Sequence, residues 1–67
     1  MEEALTDAFL RLPDVMARTS LSRRTIYRRM GEGTFPQSVK LGANSVAWRE
    51  SDVVAWMAQP AAWSVAA

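Results

Sequence analysis

A mainly helical fold with one small β-hairpin is what this sequence predicts, and three observations carry the prediction. Two short helical segments are parted by about three residues around Ser20 and Leu21; the turn-rich Gly42-Ala43-Asn44-Ser45 separates two strand-like runs; and a third helical segment follows at once. The most informative stretch is Thr19 to Gly33, TSLSRRTIYRRMGEG, which sets Arg23, Arg24, Arg28 and Arg29 on one short helix. Together with Arg18 they lie between Asp14 and Glu32 with no acidic residue among them, although the 67-residue chain carries a formal net charge of only +1. The charge is focused rather than spread.

The elements follow in order. Phe9, Leu10 and Leu12 form a brief apolar run ending in Pro13-Asp14, where proline suits a first helical position and the acid suits a helix N-terminus. A first helix is expected from there to about Thr19, and a brief strand at Phe9 to Leu12 is expected to pair with the hairpin. Ser22 is a good N-cap and Gly33 can end a helix in the left-handed conformation, so a second helix runs from about Arg23 to Glu32. At about 100° per residue, with Ile26 at zero, Met30 falls at roughly 40°, while Arg24, Arg28 and Thr25 fall at roughly 160°, 200° and 260°. A core face therefore opposes a basic face. Phe35-Pro36 stops the helix, and Ser38–Leu41 and Val46–Arg49 flank the turn as hairpin strands. Glu50-Ser51-Asp52 offers capping groups and negative charge for a third helix, whose Val53, Trp56 and Met57 recur at helical spacing until Pro60.

Helix, turn, helix, hairpin, helix is the order of a winged helix-turn-helix domain, with the hairpin as wing and the second helix shaped to enter a DNA major groove. Residues 1–7 read as a flexible arm, 8–59 as the domain and 60–67 as a tail whose single large aromatic is Trp63.

Composition narrows the function. A chain this short makes one domain that buries about 60% of the surface its unfolded form exposes. With no cysteine and no histidine, disulfides, thiolate metal sites and the commonest general base are all missing. Glu2, Glu3 and Asp7 precede the expected fold and the other carboxylates sit near helix ends, so neither an enzyme nor a metal or cofactor site is expected. No apolar run reaches the length of about 18 residues that a membrane span needs, and the opening MEEALTDAF is acidic where a secretory signal would be basic. Cytoplasm is the expected compartment.

Double-stranded DNA is the partner this charge pattern fits. Arg24, Thr25 and Arg28 are the candidates for base edges, because arginine can grip guanine O6 and N7 with two nitrogens. Arg23 and Arg29 flank that face and suit phosphate. Tyr27 divides evenly between half-buried packing and a phosphate hydrogen bond; Ser22 is a cap first and a contact second. On the hairpin, Lys40 and Arg49 are placed to approach the backbone, and Asn44 and Ser45 to donate at the tip. Trp48 and Trp56 sit beside apolar partners at core spacing and are expected inside. Trp63 is expected to pack on its own domain or be disordered.

Four motifs then become recognisable: LRLPDV before the first helix, LSRRTIYRRM over the second, GTFPQSVKLG into the hairpin, and Trp48 with ESDVVAWM after it. In register, they resemble the AlpA-type prophage regulators over about three quarters of the chain. The resemblance implies a winged helix-turn-helix regulator of a prophage or mobile element, related to phage excisionases and to the DNA-binding part of MerR-like proteins, and acting as transcriptional regulator, excision factor or both. The chain departs from the family pattern at Ser20, where glycine is usual, at the hairpin tip, which lacks an arginine, and from Gln59 to Ala67, where a basic tail is usual. A single domain making about six phosphate contacts binds weakly at physiological salt. Cooperative self-association on DNA, or a partner such as integrase or RNA polymerase, is therefore expected. Two alternatives stay open: a protein-interaction module, antirepressor or adaptor, that kept the fold, and a terminase-type DNA-recognition module.

Overall fold

A computed structural model describes residues 7–62. The elements run β1 (Phe9–Leu10), α1 (Leu12–Thr19), α2 (Arg23–Glu32), β2 (Val39–Gly42), β3 (Ser45–Arg49) and α3 (Glu50–Ala58). The strands form one antiparallel sheet in the order β1-β3-β2. Three helices with this sheet make a small mainly helical domain, consistent with a winged helix-like fold.

The turn between α1 and α2 is built by side chains of the turn itself. Ser20 closes α1 in the left-handed region, φ 63°, and its N–H donates to the Met16 carbonyl at 2.8 Å. A residue with a Cβ is costly there, which is why glycine is favoured at such ends. The Thr19 hydroxyl donates to the Val15 carbonyl at 2.7 Å and accepts the Leu21 N–H at 3.3 Å, so the chain is re-aimed within three residues. Ser22 Oγ then accepts the Thr25 N–H at 3.2 Å and starts α2. At the far end Gly33 adopts φ 78°; its N–H donates to the Met30 carbonyl at 3.2 Å and the Thr34 N–H to the Arg29 carbonyl at 2.9 Å. This is the paired closure that satisfies otherwise orphaned helix carbonyls.

The core gathers Leu10, Val15, Ile26, Phe35, Trp48, Val53 and Trp56 from every layer. Trp48 and Trp56 are inside, as their spacing predicts, and each indole finds the acceptor a buried N–H requires: Trp48 Nε1 donates to the Pro36 carbonyl at 3.1 Å and Trp56 Nε1 to the Thr34 carbonyl at 3.0 Å. Phe35, between those two carbonyls, meets the Trp56 ring edge-on at 5.0 Å. Two tryptophans from later elements thus pin the segment that leaves α2, and so fix the C-terminal end of α2 against β3 and α3.

The hairpin differs slightly from its expected form. Gly42 and Ser45, expected inside the turn, pair with each other, leaving Ala43 and Asn44 as a two-residue connection with an irregularity between Lys40 and Gly42. Neither turn residue takes positive φ, so the turn is not one of the primed types whose twist matches flanking strands. The start of α3 also differs. The capping groups expected at Glu50–Asp52 lie within the helix, and the N-cap residue, Arg49, makes no side-chain cap bond. Instead Asp7 accepts the Ser51 N–H at 3.1 Å and the Ser51 hydroxyl at 2.8 Å, while the Ala8 carbonyl accepts the Glu50 N–H at 2.7 Å. Asp7, assigned to the arm from sequence, is thus tied to α3; residues 1–6 and the Trp63 segment, 63–67, lie outside the described residues. No helix among the described residues is long and apolar enough to cross a membrane.

Candidate nucleic-acid interface

α2 is a helix whose two ends are capped locally and whose four arginines, Met30 and Glu32 are good helix formers. It buries only Ile26, with Met30 half-buried against the core, so most of its circumference faces outward. Arg23, Arg24 and Arg28 are exposed and Thr25 is half-buried. The first turn holds no acidic residue. Arg23 and Arg24 there oppose the positive end of the helix dipole, an arrangement that costs helix stability rather than adding to it. Arginines placed against both the dipole and one another call for an anionic partner.

The sequence-predicted residues do not all fare alike. The Ser22 hydroxyl caps α2 and donates to Thr25 Oγ1 at 3.0 Å, so these two polar side chains engage each other at the start of the helix. Tyr27 stands 41% exposed with its ring edge-on to buried Trp48, centroids 6.2 Å apart, which leaves it both a packing residue and reachable from solvent. Arg29 is half-buried, and its Nε, shielded from solvent, has no hydrogen-bond partner among the described residues. At roughly 300° on the helical projection, Arg29 lies nearer the core stripe than the basic one. Arg28 Nε lies 3.8 Å from Glu32 Oε2, one turn on.

On the hairpin, Lys40 and Asn44 are exposed, whereas Ser45 is half-buried in its pairing with Gly42. Arg49 is exposed at the β3–α3 junction, opposite Phe9, where it lines a depression with Asp7, Ala8 and Phe9. Its charge helps to hold the Asp7 carboxyl below the ordinary carboxylate range, a smaller influence than the two Ser51 hydrogen bonds. Arg49 is therefore partly engaged by an acid, whereas Arg23 and Arg24 have no acidic partner among the described residues. Arg18, inside the basic stretch by sequence, is drawn away from it by a 2.9 Å ion pair with Glu50.

Three residues missed from sequence shape this surface. Gln37 Nε2 donates to the Met30 carbonyl at 2.9 Å and reinforces the C-terminal end of α2. Glu50 takes up Arg18, and Glu32 sits beside Arg28. Glu32 had a sequence signal, because it follows Arg28 by four residues; Gln37 reaches back seven residues past the end of the helix and Glu50 pairs with Arg18 from 32 residues away, and neither has one.

A helix-turn-helix domain whose second helix presents arginines outward and is followed by a hairpin is the class that the fold and this surface define. The family profile described as Prophage CP4-57 regulatory protein (AlpA) matches residues 8–61, and the chain belongs to that family. It is similar to "Uncharacterized protein ORF88" of Enterobacteria phage P4, 52% identical over 52 residues that cover 78% of this chain and 59% of that protein. It is also similar to "DNA-binding transcriptional activator AlpA" of Escherichia coli (strain K12), 38% identical over 56 residues, 75% of this chain and 80% of that protein. The chain thus spans somewhat over half the length of the phage protein. No solved structure matches.

Proposed function

We propose that this chain is a sequence-specific double-stranded DNA-binding regulator of a phage or prophage element, with α2 in the major groove and the hairpin on the backbone. The observation that carries the reading is the exposed arginine face of α2, Arg24 and Arg28, set opposite buried Ile26 on a helix whose first turn carries Arg23 and Arg24 against the dipole. Family membership supports it, and the similar Escherichia coli protein is described as a DNA-binding transcriptional activator. Arg24, Arg28 and Thr25 face bases; Arg23, Lys40 and Asn44 meet phosphate. Arg29, with its Nε shielded, contributes the reach of its terminal nitrogens only. The output is transcriptional control, excision or both, exerted in the cytoplasm, by adjacent copies on DNA or with integrase or RNA polymerase. No catalytic step belongs to this reading.

A gel shift with the promoter and attachment-site DNA beside the gene tests it. Wild type is expected to give a ladder resistant to unrelated competitor, lost in the Arg24→Ala/Arg28→Ala double variant. A shift equally strong on competitor DNA, or one that survives the double variant, would remove the reading. One observation favours a second reading, that of a protein-interaction module: the outer side of α3 exposes Val54 and Met57, 53% and 43% exposed. It gains weight if Val54→Ser/Met57→Ser abolishes function in cells while the arginine variant keeps it.

A further inference from the structure

Resting on the DNA-binding reading, we propose that Glu32 is a positioning residue for Arg28, holding its guanidinium from the Nε side so that the terminal nitrogens form a ready fork for one guanine. Arg24, Arg28 and Glu32 follow one another at four-residue spacing and fall at roughly 160°, 200° and 240° of the helical projection, a single outward stripe. Glu32 Oε2 approaches Arg28 at Nε, at 3.8 Å, and the two terminal nitrogens of Arg28 have no partner among the described residues. These two nitrogens are the ones that can meet guanine O6 and N7 together.

Helix stability gives Glu32 little reason to be where it is. A carboxylate in the last turn opposes the negative end of the helix dipole, and an acid placed four residues after its basic partner is the weaker orientation of such a pair. Local rules broken for so little structural return are found at functional or strained sites, and the backbone at Glu32 shows no strain. Near DNA the same carboxylate repels phosphate, so it lowers affinity for every sequence. What it offers in exchange is a guanidinium already limited in its rotamers, which lessens the ordering cost of the specific contact.

General affinity and base preference must therefore move in opposite directions when the carboxylate is removed. The full chain would be assayed on a duplex selected by wild type from a randomised pool, on single-base-pair variants of it, and on mixed-sequence duplex. Glu32→Ala is expected to bind mixed-sequence duplex about twofold tighter or more, as loss of a repelling charge requires. It is also expected to lose about threefold or more of the preference for guanine at the base pair to which Arg28→Ala is indifferent. Glu32→Gln is expected to retain part of that preference, because its amide oxygen can still face Nε–H. In the Arg28→Ala background, Glu32→Ala has no further effect on base preference.

A uniform gain on all duplexes with the guanine preference intact would reduce Glu32 to a mere charge and overturn the proposal. So would a preference lost equally in the Arg28→Ala background, or a Glu32→Ala chain that melts well below wild type. Failure of wild type to select any sequence is a different result: it would remove the DNA-binding reading itself.

Discussion

α2 and α3 are nearly equal in length, ten and nine residues, yet they are held in opposite ways. α2 carries its own punctuation, Ser22 before it and Gly33 after it, and buries only Ile26. α3 buries Val53 and Trp56, has no side-chain bond from its own N-cap residue, and takes its cap from Asp7, 44 residues away. A helix with local caps and one buried anchor can spend the rest of its surface on charge. A helix that supplies core is bound to the packing around it. The domain thus divides its labour: α3 and β3 maintain the fold, and α2 carries a face that the fold barely needs.

The largest effect that would break this contrast is on the α3 side. Trp56→Ala removes a buried indole, its edge contact with Phe35 and its bond to the Thr34 carbonyl. Truncations of this kind cost about 3–5 kcal/mol, against a total of roughly 3–10 kcal/mol for a chain of this size. Thermal unfolding followed by circular dichroism is expected to show Trp56→Ala melting far below wild type. Arg24→Ala/Arg28→Ala, by contrast, should melt within about 0.5 kcal/mol of wild type. If the arginine pair destabilises the domain as much as Trp56→Ala, the division between the two helices is wrong.

The same contrast governs what could be read from the sequence. The ends of α2 were legible to the residue because its caps are its own neighbours, and Trp48 and Trp56 were legible as core because apolar partners stand at helical or strand spacing around them. The hairpin turn was one residue too wide at each side, since pairing of Gly42 with Ser45 is decided by how β3 sits between two strands rather than by turn composition. Asp7 was unreadable as a cap: nothing near it in the chain points to Ser51. Arg29, expected with the phosphate-facing arginines, lies at roughly 300° of the projection, within about 60° of Ile26, and its Nε is shielded from solvent. Local chemistry is visible in a sequence, whereas a partner 44 residues distant is not.

A second comparison lies within α2 itself, between Gly31 and Gly33. A Cβ built on either meets nothing within 4 Å, so packing cannot distinguish them. Backbone conformation does: Gly33 sits at φ 78°, while Gly31 lies inside the helix. Gly33→Ala is expected to cost about 1 kcal/mol, and Gly31→Ala to stabilise by roughly 0.5–1 kcal/mol through helix propensity. For a domain of this size each shifts the melting temperature by several degrees, in opposite directions. Two losses, or two gains, would mean that α2 is not the locally capped helix described.

The smallest expected effect concerns the remote cap of α3. The Ser51 hydroxyl and N–H, chief among the influences on it, hold the Asp7 carboxyl below its ordinary value of 3.8. The folded state thus favours the ionised form, and the stability this linkage contributes is fully present above the unfolded pKa and is lost as pH falls through the lower folded one. Asp7→Asn should lower the melting temperature modestly at neutral pH and also flatten the decline in acid, because the amide no longer titrates. Since Asp7 is exposed, added salt should weaken the wild-type advantage. Melting curves for the two proteins from neutral pH to below pH 3.8 measure both effects. Parallel curves would show that the Asp7–Ser51 bonds do not hold the first turn of α3 in solution, and α3 would then rest on its core face and on the Glu50 N–H bond to the Ala8 carbonyl, sharpening its difference from α2.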